Sequence, residues 1–349
     1  MLIVQAIIKT APGAGNLSVM DAPAPAPGPG EALVRIHRSG LCGTDLLVYD
    51  DVYRGRKRPV PYPLILGHEA AGEVIELGPR TAGPLPGTRV AIEAVTGCGV
   101  CFHCVRGHYN VCQDWHHLGL TIAGALAELA VVPAASLVSL PDSVSFDSAA
   151  FLEPLATVMQ TLERTRPSPG TPVAILGPGP LGLLHVQVLR AAGAGRIVVF
   201  GRPGDEARLE LARRVGADDA LVLDRAAATA RVAELTDGIG MGLVIEAAGT
   251  SEAIQTALDM TAAYGTLATL GLARTTEIDA LQVMRKNMTW VGVVASVRRH
   301  WADALALIEA GRITPDALIT HRLPLGDALA GFTALRRCEA VKVMYDPAS

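Results

Sequence analysis

The feature that most constrains the fold is a glycine-rich turn between a short apolar run and a helical segment. The run Val173–Leu176 predicts a buried strand, and the segment from Leu181 to Ala192 predicts a helix. The turn between them reads Gly177-Pro178-Gly179-Pro180-Leu181-Gly182. In this context the glycines allow a tight turn, a close approach of the backbone to a pyrophosphate and close helix–strand packing. We therefore expect a dinucleotide site here and not a plain Gly/Pro loop.

Strand and helix segments continue to alternate after this turn. The predicted strands lie at 197–200, 220–223, 243–245 and 265–270, and the predicted helices at 206–215 and 252–260. Repeated strand–helix units indicate a doubly wound parallel sheet with right-handed crossovers, and thus an α/β fold. Residues 1 to about 150 instead show short β-type runs broken by proline and glycine, which predicts a β-rich, loop-rich domain.

These patterns divide the 349 residues into three segments. We expect a catalytic domain over residues 1–154 and a dinucleotide-binding domain over residues 155–295. Residues 296–349 contain an amphipathic helix, Trp301–Glu309, and a final apolar run, Val341–Met344, which we expect to return to the first domain.

Composition excludes several classes of partner. The net charge is −4 with acids and bases interspersed, and the basic cluster at 54–58 is short, so nucleic acid is not an expected partner. The N-terminus lacks the basic segment and cleavage site of a signal peptide. The longest apolar stretch, 121–140, is interrupted by Glu128 and Pro133. We expect a cytoplasmic protein that does not enter membranes.

Four cysteines lie within fifteen residues: Cys98, Cys101, Cys104 and Cys112. Four thiolates can complete a tetrahedral zinc shell, whereas cysteines so close in sequence rarely form good disulfides. Because no coordination position would remain open, we expect a structural zinc in a lobe over about residues 97–113.

A second possible donor set is scattered along the first half of the chain. Cys42, His68 and Glu153 would supply a thiolate, an imidazole and a carboxylate, which leave a fourth zinc position for water or substrate. Each residue also has an ordinary interpretation: Cys42 as a packed small side chain, His68 as a satisfied core histidine and Glu153 as an acid at a helix N-terminus. Spacing alone leaves this choice open.

The order of these motifs resembles that of zinc-containing medium-chain dehydrogenases. Cys42-Gly43-Thr44-Asp45, Gly67-His68-Glu69, the four-cysteine segment and the glycine turn follow one another as in that family. Glu153-Pro154-Leu155 resembles its polyol, threonine and sugar dehydrogenase branch. The resemblance implies a GroES-like catalytic domain beside a Rossmann domain. It also implies a catalytic zinc held by Cys42, His68 and Glu153, with Glu69 as a neighbour or an exchanging ligand.

The resemblance assigns further roles. Asp45 would orient the zinc histidine, Thr44 would relay the substrate proton towards the cofactor ribose, and Lys342 would lie near Glu69 and the cofactor pyrophosphate. Many relatives place a histidine five residues after the zinc cysteine to pass the proton to solvent, but this chain has Leu47. The expected relay is therefore incomplete, and either the ribose releases the proton to water or another group, such as Glu69, takes part.

Cofactor choice depends on the end of the second predicted strand. Many NAD-binding folds place an acid there for the ribose 2′-hydroxyl, whereas this chain has Gly201 and then Arg202. An arginine suits a 2′-phosphate, so NADP is favoured over NAD. The alternative is that Asp205 folds back to the ribose. By resemblance, Ala247, Gly249 and Leu270 also border the cofactor.

The resemblance implies hydride transfer between a small secondary alcohol, of polyol or sugar type, and NAD(P) in a homo-oligomeric enzyme, a dimer or tetramer, with two zinc ions per chain. L-Threonine or another amino alcohol is an alternative substrate. Trp115, His116 and His117 could contact the substrate, and Arg298 and Arg299 could bind its carboxylate or phosphate or simply face solvent. A non-catalytic NAD(P)-binding regulator with only the structural zinc is the alternative of another class.

Overall fold

Two units make up the protein in the computed structural model, which describes residues 3–53, 59–272 and 275–347. The first unit comprises the described parts of Met1–Ala156 and Ala295–Ser349, and the second is formed from Thr157–Val294. The basic cluster at 54–58 lies outside the described residues. Among the helices in the described ranges, none has the length and apolar content needed to cross a membrane.

Short strands separated by turns dominate the first part of the chain. The strands are β1 Ile3–Lys9, β2 Leu17–Pro23, β3 Glu31–Gly40, β4 Leu64–Ile65, β5 Glu69–Leu77, β6 Arg89–Ile92, β7 Val95–Thr96, β8 His116–His117, β9 Leu129–Pro133 and β10 Leu137–Ser139. The helices are α1 Gly43–Tyr49, α2 Phe146–Ala150 and α3 Leu152–Thr165. Short 3₁₀ turns at Cys104–Arg106 and Tyr109–Val111 lie in the four-cysteine lobe.

The second unit contains the predicted parallel sheet. Its elements are β11 Val173–Leu176, α4 Pro180–Ala191, β12 Ile197–Gly201, α5 Glu206–Arg214, β13 Asp219–Val222, α6 Arg225–Leu235, β14 Met241–Glu246, α7 Ser251–Met260, β15 Thr261–Thr269, α8 Ala280–Arg285 and β16 Thr289–Gly292. The described strands are ordered β13-β12-β11-β14-β15-β16 and all pair in parallel. The doubly wound fold expected from the alternating pattern is confirmed.

The C-terminal segment belongs to the first unit. Its elements are α9 Arg298–Glu309, β17 Ile319–Pro324, α10 Ala328–Arg336 and β18 Lys342–Asp346. Strand β18 pairs antiparallel with β3 and parallel with β17. The large sheet of this unit is ordered β10-β6-β5-β3-β18-β17, with β9 also paired to β3. Strands β5, β3 and β18 are therefore neighbours, which determines the position of the residues described below.

The main element missed by sequence analysis is α6. Its sequence contains five alanines and few large apolar residues, so its apolar periodicity is weak. Alanine nevertheless has the highest helix propensity, and the Asp224 side chain accepts a hydrogen bond from the Ala227 N–H and caps the N-terminus. Only Ala228 and Val232 of this helix are buried, and both pack in the core of the second unit.

A buried histidine in α4 should make stability depend on pH. His185 is fully buried; its Nδ1 lies 2.7 Å from the Leu181 carbonyl oxygen, and its Nε2 has no hydrogen-bond partner among the described residues. Burial lowers the pKa of His185 to about 4 from 6.5. The unfolded state therefore binds a proton between these values that the folded state does not, and stability falls as the pH drops through this window.

Because of this histidine, we expect the free energy of unfolding to fall by roughly 2 kcal/mol when the pH drops from 7 to 5. In urea unfolding experiments, His185→Leu should remove that part of the pH dependence. His108→Leu, which replaces an exposed histidine, should leave it unchanged. An unaltered pH dependence in His185→Leu would show that the buried imidazole is already protonated at pH 5.

Candidate functional site

The Asp45 carboxylate joins two segments that are distant in sequence. It is fully buried; Oδ2 accepts a hydrogen bond from the Cys42 N–H at 3.0 Å, and Oδ1 accepts one from the Gly67 N–H at 3.1 Å. Oδ1 also lies 3.6 Å from His68 Nδ1. Burial opposes ionisation, but His68 and the two N–H groups hold the pKa of Asp45 below its usual value. One carboxylate thus positions both Cys42 and His68.

Gly67 is required for the turn that presents His68. Its φ is +91°, and a Cβ there would lie 2.4 Å from Leu126 Cγ and 2.8 Å from the Leu126 backbone nitrogen. Any larger residue would be strained in conformation and would also clash. The chain can therefore pass close to Leu126 and present the His68 ring from the residue before β5.

Three potential metal ligands come together at this point. Ligand atoms of Cys42, His68 and Glu69 all lie within 4.8 Å of one another, with His68 and Glu69 buried and Cys42 half-buried. The carboxylate in this close group is that of Glu69, for which the sequence suggested a neighbouring or exchanging role. A half-buried thiol with a buried imidazole and a buried carboxylate at this spacing suits a zinc ion with an open coordination position.

Glu153 lies outside this group of three. It is in the first turn of α3, and its carboxyl group interacts electrostatically with His68, Glu69 and Lys342. Burial raises the pKa of Glu153 to about 7. The carboxyl group is therefore in the same environment as the close group, and its role as a ligand stays a prediction.

Lys342 at the start of β18 pairs with Glu69. Its ammonium group is buried, donates to the Glu69 carboxylate and to the Leu41 carbonyl oxygen at 3.2 Å, and lies over the Phe151 ring. Burial lowers the pKa of Lys342, but the surrounding negative groups, Glu69 foremost among them, together outweigh burial and raise the pKa above its usual value. Lys342 thus compensates the charge of Glu69; its contact with the cofactor pyrophosphate stays a prediction.

Three further predicted residues lie on the elements around Cys42 and His68: Thr44, Leu47 and His117. The Thr44 hydroxyl oxygen lies 3.7 Å from Cys42 Sγ, in the first turn of α1. Leu47 lies in the same helix and supplies no polar group. The His117 ring packs against the His68 ring, with centroids 5.0 Å apart.

The four lobe cysteines form a second group with tetrahedral spacing. Their sulfur atoms all lie within 4.8 Å of one another, with 4.0 Å between Cys98 and Cys104 and 3.8 Å between Cys101 and Cys112. A tetrahedron with bonds of about 2.3 Å to its centre has edges of about 3.8 Å. The cysteines form no disulfide in the described chain, so the distances fit a Cys₄ zinc site.

A cluster of hydrogen bonds around the buried Glu93 attaches this lobe to the rest of the first unit. The Tyr109 hydroxyl donates to Glu93 and accepts a hydrogen bond from the Arg298 N–H, while Arg298 Nε pairs with Glu93 at 3.0 Å. Burial raises the pKa of both Glu93 and Tyr109. The Arg298 guanidinium also donates to the carbonyl oxygens of Leu137 and Ala135. The suggestion that Arg298 binds a substrate anion is therefore wrong, because its donors are engaged within the fold.

The three glycines of the turn after β11 have the geometry expected of a dinucleotide site. Gly177 has φ +101°, and its N–H donates to the Phe200 carbonyl oxygen. A Cβ on Gly179 would meet nothing within 4 Å, so the backbone at the N-terminus of α4 is open to a phosphate. A Cβ on Gly182 would lie 2.1 Å from the Gly177 carbonyl oxygen, so only glycine lets α4 pack this close.

The end of β12 places Asp205 beside Gly201. A Cβ on Gly201 would lie 3.2 Å from Asp205 Oδ2, and this oxygen accepts the Arg202 N–H at 3.1 Å. Asp205 is buried, and its other carboxylate oxygen lies 3.8 Å from the Arg208 guanidinium. The Arg202 side chain is exposed. The Asp205 carboxylate therefore points towards the backbone of this turn. The exposed charged side chain at the end of β12 is that of Arg202, which is positive.

Glu246 has a role that sequence analysis missed. The carboxylate at the end of β14 is fully buried; Oε1 accepts the Ala248 and Gly249 N–H groups at 2.9 and 2.6 Å. Its backbone oxygen accepts the Leu270 N–H at 2.9 Å. It thus joins the loops that carry the predicted cofactor residues Ala247, Gly249 and Leu270.

Comparison with known proteins agrees with this geometry. Residues 28–142 match the alcohol dehydrogenase GroES-like domain, and residues 180–310 match the zinc-binding dehydrogenase domain. The chain is 33% identical to sorbitol dehydrogenase of Halalkalibacterium halodurans, over 98% of this chain and 99% of that protein. It is 36% identical to L-threonine 3-dehydrogenase of Pyrococcus horikoshii, over 97% of each.

A solved structure has the same overall fold. A zinc-binding dehydrogenase from Sinorhizobium meliloti, bound to NADP, superposes with a TM-score of 0.90 and 29% identity, over 99% of this chain and 100% of that one. The fold and site define a zinc-binding dehydrogenase. The chain belongs to the zinc-containing medium-chain alcohol dehydrogenase family and is an enzyme of that family.

We expect Tyr109→Phe to destabilise the protein by about 1–3 kcal/mol, because Glu93 and the Arg298 N–H would each lose a buried partner. Urea unfolding of the purified protein measures this. Tyr264→Phe is the control, since Tyr264 is 81% exposed and should change stability by less than about 0.5 kcal/mol. Equal effects of the two substitutions would contradict the role given to the cluster.

Proposed function

We propose that the protein transfers a hydride between a secondary alcohol of polyol or sugar type and a nicotinamide cofactor, with NADP favoured. The close group of Cys42, His68 and Glu69 carries this proposal, because three metal ligands that leave a fourth position for substrate are what activation of an alcohol oxygen requires. The similarity of the whole chain to sorbitol dehydrogenase supports a polyol as the substrate.

We propose two zinc ions per chain with different roles. The sulfur spacing of the lobe supports a closed Cys₄ site for one of them. Cys42, His68 and Glu153 would hold the other, with Glu69 as an exchanging ligand. The Asp45 contacts with both ligand segments support this second assignment, since zinc histidines need an oriented ring.

In the mechanism we propose, the bound zinc and nicotinamide supply a Lewis acid for the alcohol oxygen and an acceptor for the hydride. Asp45 keeps the His68 ring fixed, and Lys342 keeps the charge of Glu69 compensated. The Thr44 hydroxyl accepts the substrate proton and passes it on towards the cofactor ribose. Because Leu47 supplies no polar group, a proton received by Thr44 would reach solvent through the bound cofactor and water or through another group of this chain, such as Glu69.

The preference for NADP rests on the end of β12. Asp205, the acid that could have bound the ribose, is buried and bonded to the Arg202 N–H. The exposed Arg202 guanidinium then suits a 2′-phosphate. A homo-oligomer, as a dimer or tetramer, and a cytoplasmic location stay predictions of the sequence.

Arg202→Glu should reverse the cofactor preference. A glutamate would repel a 2′-phosphate and could accept a hydrogen bond from a ribose hydroxyl. We expect the kcat/KM ratio of NADP to NAD to fall by at least about tenfold, measured with one alcohol at saturation. Arg299→Glu, at another exposed arginine, controls for the change in charge. A ratio that changes equally in both variants would overturn the Arg202 assignment.

Removing one ligand from each metal group should separate the two roles. Cys42→Ser should lower the zinc content from two to one and abolish activity, with little effect on thermal stability. Cys101→Ser should also remove one zinc but mainly lower the unfolding temperature, because the lobe loses its metal crosslink. Metal analysis, calorimetry and activity assays measure these effects.

The matched control is Cys338→Ser, because Cys338 belongs to neither metal group in the described residues. It should keep two zinc ions, full activity and the wild-type unfolding temperature. If the wild type holds only one zinc and Cys42→Ser keeps it, the proposed catalytic zinc site is wrong. That result would favour a non-catalytic nucleotide-binding protein.

L-Threonine or a related amino alcohol is the second candidate substrate, and the 36% identity to L-threonine 3-dehydrogenase supports it. A cofactor-reduction screen distinguishes the candidates, with NAD and NADP each tested against polyols, sugars, amino alcohols and simple alcohols. Activity on polyols with NADP is the expected result. Activity on threonine alone would replace the polyol proposal, and activity with NAD alone would overturn the cofactor preference.

A further inference from the structure

Glu246 is a buried carboxylate that has no part in the mechanism above. Its side chain is fully buried at the end of β14, and Oε1 accepts the Ala248 and Gly249 N–H groups at 2.9 and 2.6 Å. Oε2 has no hydrogen-bond partner among the described residues, and a Cβ on Gly271 would lie 2.7 Å from it. The carboxylate is thus enclosed by the loops that follow β14 and β15. Burial raises the pKa of Glu246, while the backbone N–H groups of these loops favour its charged form.

Two other buried carboxylates of this chain have a cation beside them. Glu69 pairs with Lys342, and Glu93 pairs with Arg298 at 3.0 Å. Glu246 differs, because no cation within the described ranges pairs with it and no charged side chain there shifts its pKa. A buried charge is usually compensated by a cation or a metal. The negative charge of Glu246 is compensated only by backbone N–H groups, so it acts on any group bound beside these two loops.

The strand order divides the proposed cofactor site into two halves. Strand β11, which leads into the glycine turn, lies between β12 and β14. Arg202 follows β12 on one side of the turn, and Glu246 ends β14 on the other side. A dinucleotide at the carboxyl ends of such a sheet extends to both sides of its pyrophosphate. Because the proposed 2′-phosphate contact is with Arg202, the nicotinamide half would extend towards the loops that enclose Glu246.

The two redox states of a nicotinamide cofactor differ by one charge at the ring. The oxidised ring is a cation, and addition of a hydride cancels this charge and leaves the phosphates and both riboses unchanged. A fixed negative charge therefore attracts the oxidised ring but has no such attraction for the reduced one. Because the Glu246 carboxylate is enclosed by protein, solvent screens this attraction less than it screens that of an exposed acid.

We propose that Glu246 is a specificity-determining residue for the redox state of the cofactor, whose negative charge strengthens binding of the oxidised form relative to the reduced form. The inference rests on the proposed function, since it requires a nicotinamide cofactor at the glycine turn. The hydrogen bonds from Ala248 and Gly249 hold the charge in place. Its consequence is that the reduced cofactor, the product of alcohol oxidation, is bound less tightly relative to the oxidised one than it would be without this carboxylate.

The test measures the dissociation constants of NADP⁺, NADPH, NAD⁺ and NADH by calorimetric titration at about pH 8, without substrate. Glu246→Gln removes the charge but keeps an oxygen that can accept both N–H groups. For each cofactor pair that binds, we expect the Kd of the oxidised form divided by that of the reduced form to rise roughly tenfold. Glu234→Gln is the matched control, because it neutralises an exposed acid on α6 of the same unit. It should change this ratio by less than about twofold.

Glu246→Asp separates the charge from the packing of the side chain. The shorter acid should weaken binding of both redox forms alike, with the ratio of their dissociation constants kept within about threefold of wild type. This variant also tests the proposal where Glu246→Gln does not fold.

A ratio that is unchanged in folded Glu246→Gln, or that rises more than about threefold in Glu246→Asp, would overturn the proposal. Either result, in a wild type that binds a nicotinamide cofactor, overturns this inference alone. A wild type that binds none of the four cofactors overturns the proposed function.

Discussion

The Asp45 carboxylate is the interaction on which the proposed catalytic site depends. Cys42 follows β3 and His68 precedes β5, so the two residues reach the site from different strands. Asp45 accepts an N–H from each of these two segments and faces the His68 ring. A buried carboxylate needs such partners, since an unpaired charge in the interior is very costly. The arrangement that orients the ligands is therefore the same one that stabilises the buried charge.

The strand order completes the site. Gly40 at the end of β3 pairs with Glu69 on one side and with Met344 on the other. This brings Lys342 of β18 next to Glu69, although the two residues are 273 positions apart. The C-terminal segment thus supplies the cation that compensates the second carboxylate. The lobe, in contrast, takes all four of its cysteines from fifteen consecutive residues, so its metal site is built locally.

This difference explains what could be predicted from the sequence. The strand at Val173–Leu176, the tight turn at Gly177 and the close helix packing at Gly182 were predicted correctly, because local pattern determines them. The approach of this turn to a pyrophosphate stays a prediction. The four-cysteine group was identifiable for the same reason. Helix α6 was missed, since propensity and a cap, not apolar periodicity, define it. Sequence patterns thus predicted the features that are formed by residues close together in the chain.

Residues whose roles depend on tertiary contacts were harder to assign. Arg298 was offered as a substrate contact, but Glu93 and two backbone carbonyls engage it. Glu246 joins the two loops that carry predicted cofactor residues, through hydrogen bonds with the Ala248, Gly249 and Leu270 N–H groups that no sequence pattern reveals. The close group contains Glu69, and Glu153 lies outside it. A carboxylate's partners depend on which strands are neighbours, and the sequence alone could not order β5, β3 and β18.

The most direct test of the account is anomalous diffraction at the zinc absorption edge from crystals of the purified protein. Two peaks per chain are expected, one bonded to the four lobe sulfurs and one bonded to Cys42 Sγ and His68. A single peak in the lobe, with none within bonding distance of Cys42 in zinc-replete crystals, would contradict it.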